Sequence, residues 1–191
     1  MFLVMQNVSE GSKKPELKTV MAVRDVVALV RLMEDEDIDM WLDGGWAVDA
    51  LLGIQTRPHE DVDIVIQQKD VPRLRELLAA RGYTDAERPD TSAWNFVLGD
   101  SNGHLVDIHA VVFDSGGNGL YGPLKEGVMY PAASFTGSGT IHGYPVTCVS
   151  AEQIVQFHSA YEPDENDIQD VSALCELFGI AYPKEFARPK K

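Results

Sequence analysis

Nowhere in this 191-residue sequence does an apolar run approach the roughly twenty residues that a membrane-spanning helix needs. The opening "MFLVMQNVSEGSKK" begins apolar but is too short and wrongly flanked for a secretory signal, so residues 1–18 read as an N-terminal tail. Cysteine is scarce too. Cys148 and Cys175 are the two in the chain, both in apolar surroundings, which excludes a disulfide framework and makes a cytoplasmic location the expectation. Positive charge is in deficit: 16 Lys and Arg stand against 30 Asp and Glu, a net charge of −14. Such a balance argues against a nucleic-acid partner, because neutralising a phosphate backbone requires a basic face. It suits a cationic small substrate or divalent metal ions. Internal repeats and low-complexity tracts are missing as well.

What remains is an ordinary soluble-domain composition, 45% apolar and 24% charged, in a chain long enough for a real core. "TVMAVRDVVALVRLMED" (Thr19 to Asp35) has helical apolar spacing. "IDMWL" reads as a buried strand ending at Asp43, Gly44-Gly45 as a tight turn, and "WAVDALLG" as a short helix closed by Gly53. "QTRPHE" is a loop, and "DVDIVI" alternates as a strand does, with Asp61, Asp63 and Val65 on one face. "DVPRLRELLAARG" fits a helix with Asp70 as N-cap, Pro72 in its first turn and Gly82 beyond its end. "WNFVLGDSNGHLVDIHAVVF" is a hairpin turning at Ser101-Asn102-Gly103. The glycine-rich stretch from Gly116 to Tyr130 is expected to be irregular, and "GTIHGYPVTCVS" a second small hairpin. From Ser150, which has capping-box spacing to Gln153, two helices follow, joined by the acidic "EPDEND". The order implies an α+β fold: a small mixed sheet flanked by helices over residues 19–149, with a helical C-terminal region over 150–191.

The informative feature is a pair of acids inside an apolar strand. Asp61 and Asp63 point the same way, with Cα atoms roughly 6.5–7 Å apart. Two like charges so placed cost free energy unless a cation lies between them. The spacing lets them bracket Mg²⁺, a hard cation that takes oxygen ligands and keeps sites for water and substrate phosphates. A third carboxylate should come from a neighbouring strand, and Asp107 interrupts the apolar run "LVDIHAV" in the same manner. A two-metal arrangement of this kind would hold a nucleoside triphosphate, orient an attacking hydroxyl and stabilise departing pyrophosphate. Gly44 and Gly45, at a strand-to-helix junction, would let backbone N–H groups approach phosphate oxygens. Each feature alone has an ordinary structural explanation; their conjunction, with Arg57 just ahead of the acids, argues for a site.

"DGGWAVDALLG", "TRPHEDVDIVI" and "LVDIHAV" together resemble the lincosamide nucleotidyltransferases and the aminoglycoside nucleotidyltransferases that modify a 2″-hydroxyl, within the polymerase-β-type nucleotidyltransferase superfamily. The similarity runs from about Trp41 to Ile180 and includes the C-terminal helices. It implies Mg²⁺-dependent transfer of a nucleoside monophosphate, with ATP as donor, to a hydroxyl of a small, cationic antibiotic-like acceptor. It also implies that Gly44 and Gly45 form the phosphate-binding corner, that Asp61 and Asp63 bind metal, and that Asp107 is a ligand or the base. The superfamily usually has Gly-Ser at the corner; here Trp46 follows Gly45, so Asp43 or the backbone must compensate.

Secondary candidates keep two readings each. Arg57 suits either the triphosphate or a surface ion pair with Glu60. His59 could touch the nucleotide, orient Asp61 or cap the strand. His109, on the face of Asp107, fits the acceptor pocket or the core, and Trp46 a nucleotide cover or an anchor for its helix. His158, Tyr161 and the acidic "EPDEND" fit recognition of an acceptor amine or a solvated loop. The competing functions are a catalytically inactive nucleotidyltransferase fold that binds a nucleotide or partner, and a metallohydrolase, for which no H-E-x-x-H spacing exists. A homodimer through the C-terminal helices is compatible with their apolar faces. The acceptor's identity is not encoded in these motifs.

Overall fold

The computed structural model describes residues 21–186. The expected tail, the first two residues of the first helix and the last five of the C-terminal region lie outside that range. No helix among the described residues is long and apolar enough to cross a membrane.

The expected mixed sheet is the backbone of the molecule. Strands β1 (Met40–Asp43), β2 (Asp61–Gln67), β3 (Thr84–Ala86), β4 (Asn95–Gly99), β5 (Leu105–Phe113), β6 (Gly119–Tyr121), β7 (Val128–Tyr130), β8 (Gly137–Ile141) and β9 (Tyr144–Cys148) form one sheet. Its order is β3-β4-β5-β2-β1-β9-β8, with β6 and β7 continuing from the far end of β5. β2 lies between β1, antiparallel, and β5, parallel. That central position explains its sequence: Val62, Ile64, Val65 and Ile66 are fully buried, leaving Asp61 and Asp63 as the polar interruptions.

Five helices accompany the sheet: α1 (Val23–Asp35), α2 (Gly44–Leu52), α3 (Val71–Ala79), α4 (Ala151–His158) and α5 (Glu165–Phe178). α1 buries Val26, Leu29, Val30, Leu32 and Met33, a stripe of helical period. α4 and α5 pack on each other and on α2, so that Ile154, Val171 and Leu174 share one core with Trp46 and Ala47.

Several local expectations change. Gly44 and Gly45 are not a turn between elements but the first turn of α2, capped by the Asp43 carboxylate, which accepts from the Gly44 N–H at 2.9 Å. Asp70 precedes α3 but its carboxylate does not cap it, because a 3₁₀ turn (Gln68–Asp70) already holds Asp70 in helical geometry. The stretch 116–130 is ordered into β6 and β7; a Cβ on Gly119 would lie 2.8 Å from the Phe135 ring, so that glycine serves close packing. Ser150 caps α4, yet Gln153 does not reciprocate: its side chain accepts from Ser134 Oγ at 2.9 Å. The acidic "EPDEND" is largely the start of α5. Asp164 caps that helix and Asp167 returns a hydrogen bond to the Asp164 N–H, both favourable at a helix N-terminus. The short edge strand β3 was not expected at all; its three residues are too few and too polar to show a period.

Candidate active site

The sheet register assembles the acids. Asp43 pairs with Asp63 across the antiparallel β1–β2 ladder, and Asp63 pairs with Asp107 across the parallel β2–β5 ladder. Residues opposite one another in adjacent strands share a face, so three carboxylates stand in a row across three strands. His109, two residues beyond Asp107, joins them: its Nδ1 is 3.5 Å from Asp43 and its Nε2 is 3.6 Å from Asp107. Tyr121 on β6 meets the His109 ring edge-on, with centroids 5.6 Å apart.

Asp63, Asp107 and His109 present ligand atoms all within 4.8 Å of one another. Asp61 stands outside that tight group. As the first residue of β2 it is a third exposed, and its carboxylate faces Arg88 at 3.6 Å. Arg88 also donates to Asp107 Oδ2 at 2.8 Å and so bridges the two acids.

Charge crowding leaves its mark on proton affinity. Burial, then the charge of Asp61 and those of Asp43 and Asp107, raise the Asp63 carboxyl from 3.8 to about 7 despite His109. Asp107 is also raised, chiefly by burial, with His109 and Arg88 opposing. Burial works against a charge on His109, but the close contact and field of Asp43, helped by Asp63 and Asp107, overcome it and lift the imidazole to about 9. With no metal present, His109 thus favours its protonated form among these acids.

The donor set fits a hard divalent ion. Asp63 and Asp107 supply converging carboxylate oxygens, and Asp107 Oδ1 is buried with no hydrogen-bond partner among the described residues.

The glycine corner touches this group. A Cβ on Gly44 would lie 2.2 Å from Asp63 Oδ2, and the residue has φ +54°, so side chain and backbone both demand glycine. Its N–H is taken by Asp43, however. Gly45 instead lines a cleft of about 490 Å³ with Arg57, His59, Asp61, Asp63 and Asn166. The two glycines therefore serve different ends: one admits the carboxylate, the other faces the cleft.

Arg57 and His59 belong to a buried network that links α2 to α5. Arg57 donates to Asp170 Oδ2 and to His59 Nδ1, each at 2.9 Å. A guanidinium has only donors, so the His59 ring carries its proton on Nε2, which faces Asp49 Oδ2 at 2.5 Å. Asp49 Oδ1 accepts from the Thr56 N–H and hydroxyl. His59 is 4% exposed and bonded at both nitrogens, so neither faces Asp61; Arg57 is a quarter exposed and reaches the cleft. Trp46 is buried and donates to the Asp61 carbonyl at 3.1 Å, which makes it an anchor between α2 and β2. His158 and Tyr161 contact Asp167 at the start of α5, where the neighbouring Asn166 lines the cleft.

A larger cavity, about 1140 Å³, lies along α1 and the β8–β9 turn. No carboxylate among the described residues lines it. Asp43 entered the sequence reading only as a substitute phosphate contact, and Arg88 did not enter it. The arginine's partner lies nineteen positions along the chain, and "ERPDTSAWN" has no period to mark it.

The family model for aminoglycoside-2″-adenylyltransferases matches residues 25–174. The chain belongs to this family. Its enzyme class is nucleotidyl transfer, as is that of the relatives. A lincosamide resistance protein of Staphylococcus haemolyticus is 29% identical over 152 residues, covering 79% of this chain and 92% of the relative. A 2″-aminoglycoside nucleotidyltransferase of Klebsiella pneumoniae is 28% identical over 122 residues, 64% of each chain. Among solved structures, the lincosamide antibiotic adenylyltransferase LnuA with lincomycin bound aligns with TM-score 0.73 and 25% identity over 85% of this chain and 100% of that one. ANT(2″)-Ia in complex with adenylyl-2″-tobramycin aligns with TM-score 0.68 at 23% identity over 82% of this chain and 89% of that one, a likeness of fold. The adenylyltransferase family assignment thus spans the whole acidic constellation, from Asp43 to Asp107, and both C-terminal helices to Leu174.

Proposed function

We propose that the chain transfers a nucleoside monophosphate from ATP to a hydroxyl of an antibiotic of the lincosamide or aminoglycoside kind. The observation that carries this reading is the register of Asp63 and Asp107 on adjacent strands, with Gly44 packed against the Asp63 carboxylate. Asp63 and Asp107, with Asp61 at the edge, would hold Mg²⁺. When bound, that ion supplies charge neutralisation for the triphosphate and for the pyrophosphate that leaves.

The chain's own residues do the rest. Gly45 and Arg57 line the cleft beside the acids, where a triphosphate meets backbone and a guanidinium. Asp107, whose proton affinity burial raises, is the group suited to take the acceptor hydroxyl's proton. His109, held protonated by Asp43, limits the net negative charge beneath the metal ligands. The chain's excess of acids suits an acceptor bearing an amine. Two carboxylates converging from adjacent strands, with Asp61 at the edge, suit metal-dependent transfer better than binding alone, which disfavours the inactive alternative. A cytoplasmic location fits a donor such as ATP.

The test is a pyrophosphate-release screen with ATP, GTP, CTP and UTP against lincosamides and aminoglycosides in Mg²⁺. Release that needs both ATP and one antibiotic class supports the proposal. Nucleotide binding by calorimetry with no release across the panel contradicts it.

A further inference from the structure

Arg88 has no part in the chemistry proposed above, yet it holds two of the three acids. Its Nη1 lies 2.8 Å from Asp107 Oδ2 and its Nη2 3.6 Å from Asp61 Oδ2. The placement is built rather than casual. Arg88 and Thr91 close a turn on each other: the Arg88 N–H donates to Thr91 Oγ1 at 2.9 Å and the Thr91 N–H to the Arg88 carbonyl at 3.1 Å. Asn95, the first residue of β4, clamps that turn by donating to the Asp90 carboxylate at 2.9 Å. A structured loop thus delivers one guanidinium to Asp107 Oδ2 and Asp61 Oδ2, while Asp107 Oδ1 faces His109.

We infer that Arg88 is a tethered counter-cation that competes with the divalent ion for Asp107 and Asp61, and so sets the metal affinity of the site. The inference rests on the metal-site reading above. Asp107 Oδ1 carries no hydrogen bond among the described residues, but Oδ2 accepts a 2.8 Å charge-assisted one and must give it up, or share it, before the whole carboxylate can serve a dication. A fixed positive charge within a few ångströms also repels that dication directly. Displacement would return the guanidinium to the site mouth, where anionic oxygens of the donor arrive. The 88–91 turn would lose the carboxylates that pin its side chain.

Two measurements test this. Mn²⁺ titration followed by electron paramagnetic resonance compares the wild-type chain with Arg88→Gln and Arg88→Lys. Arg88→Gln should bind Mn²⁺ about tenfold more tightly, and Arg88→Lys, which keeps the charge, by much less. Unchanged or weaker binding in Arg88→Gln would overturn the inference while leaving the metal site standing. Failure of the wild-type chain to bind Mn²⁺ would overturn the metal site itself and the inference with it. Hydrogen exchange on the wild-type chain needs no substitution: saturating Mg²⁺ should speed exchange of the Thr91 amide. Slower or unchanged exchange there would contradict the competition.

Discussion

Asp63 and Asp107 face each other in register across the parallel strands β2 and β5, and Gly44 is packed so closely on Asp63 that no side chain fits between them. This single relationship ties the sheet, the start of α2 and the acid cluster together, and most of the site's behaviour follows from it.

Asp63→Asn should abolish transfer without unfolding the chain. On the proposed metal-binding role of Asp63, its removal should lower kcat by about a thousandfold or more, roughly 4 kcal/mol of barrier. The same substitution removes a buried charge and its repulsion with Asp61, Asp43 and Asp107, against the loss of its attraction to His109. Without metal, near neutral pH, the variant should therefore melt at least about 2 °C above the wild type in a thermal scan. Retained turnover would refute the assignment of Asp63.

Metal binding should strengthen with pH. The folded chain holds the Asp63 proton up to about pH 7, whereas the ordinary value is 3.8. Between those values the folded state binds more proton than the unfolded state, so this group lowers stability as pH rises when no metal is present. His109, raised to about 9, adds a loss of the same sign at higher pH. On the proposed reading, Mg²⁺ has to displace the Asp63 proton. The melting-temperature gain from Mg²⁺ should thus be small near about pH 6 and grow towards about pH 8. A gain that shrinks over that interval would contradict the proton affinity inferred for Asp63.

Gly44→Ala should harm catalysis more than folding. Its φ of +54° costs an L-residue about 1 kcal/mol, which a domain of this size tolerates. The added methyl, at 2.2 Å from Asp63 Oδ2, must push that carboxylate out of line with Asp107. Steady-state kinetics beside a thermal melt would separate the two effects: a modest drop in melting temperature with a large drop in kcat.

Asp170→Ala probes the network beneath the cleft. The Asp170 carboxylate is 3% exposed and accepts from Arg57, which is 25% exposed, so loss of the pair should cost about 2 kcal/mol in urea unfolding. Arg57 would lose its tether beside Gly45, and the KM for nucleotide should rise more than kcat falls.

Much of this was legible in the sequence because the acids interrupt apolar strands. Alternation in "DVDIVI" places Asp61 and Asp63 on one face, and "LVDIHAV" repeats the signal for Asp107. Capping residues and glycines marked several helix ends, as Gly53 does with φ +71°. Illegible were interactions set by distance in space. The Arg88 contact with Asp107, the Arg57 contact with Asp170 and the His59 contact with Asp49 join segments that no local period connects. Glycine misled at 116–130, where it serves close packing in a strand rather than an irregular loop. The acids of "EPDEND" read as a solvated loop because N-capping carboxylates and surface carboxylates look alike in composition.

The most direct test of the central claim is an anomalous-scattering map from crystals grown with Mn²⁺ and a non-hydrolysable ATP analogue. The account predicts Mn²⁺ coordinated by Asp63 and Asp107, with the triphosphate running past Gly45. A metal bound elsewhere, or a triphosphate remote from the start of α2, would contradict it.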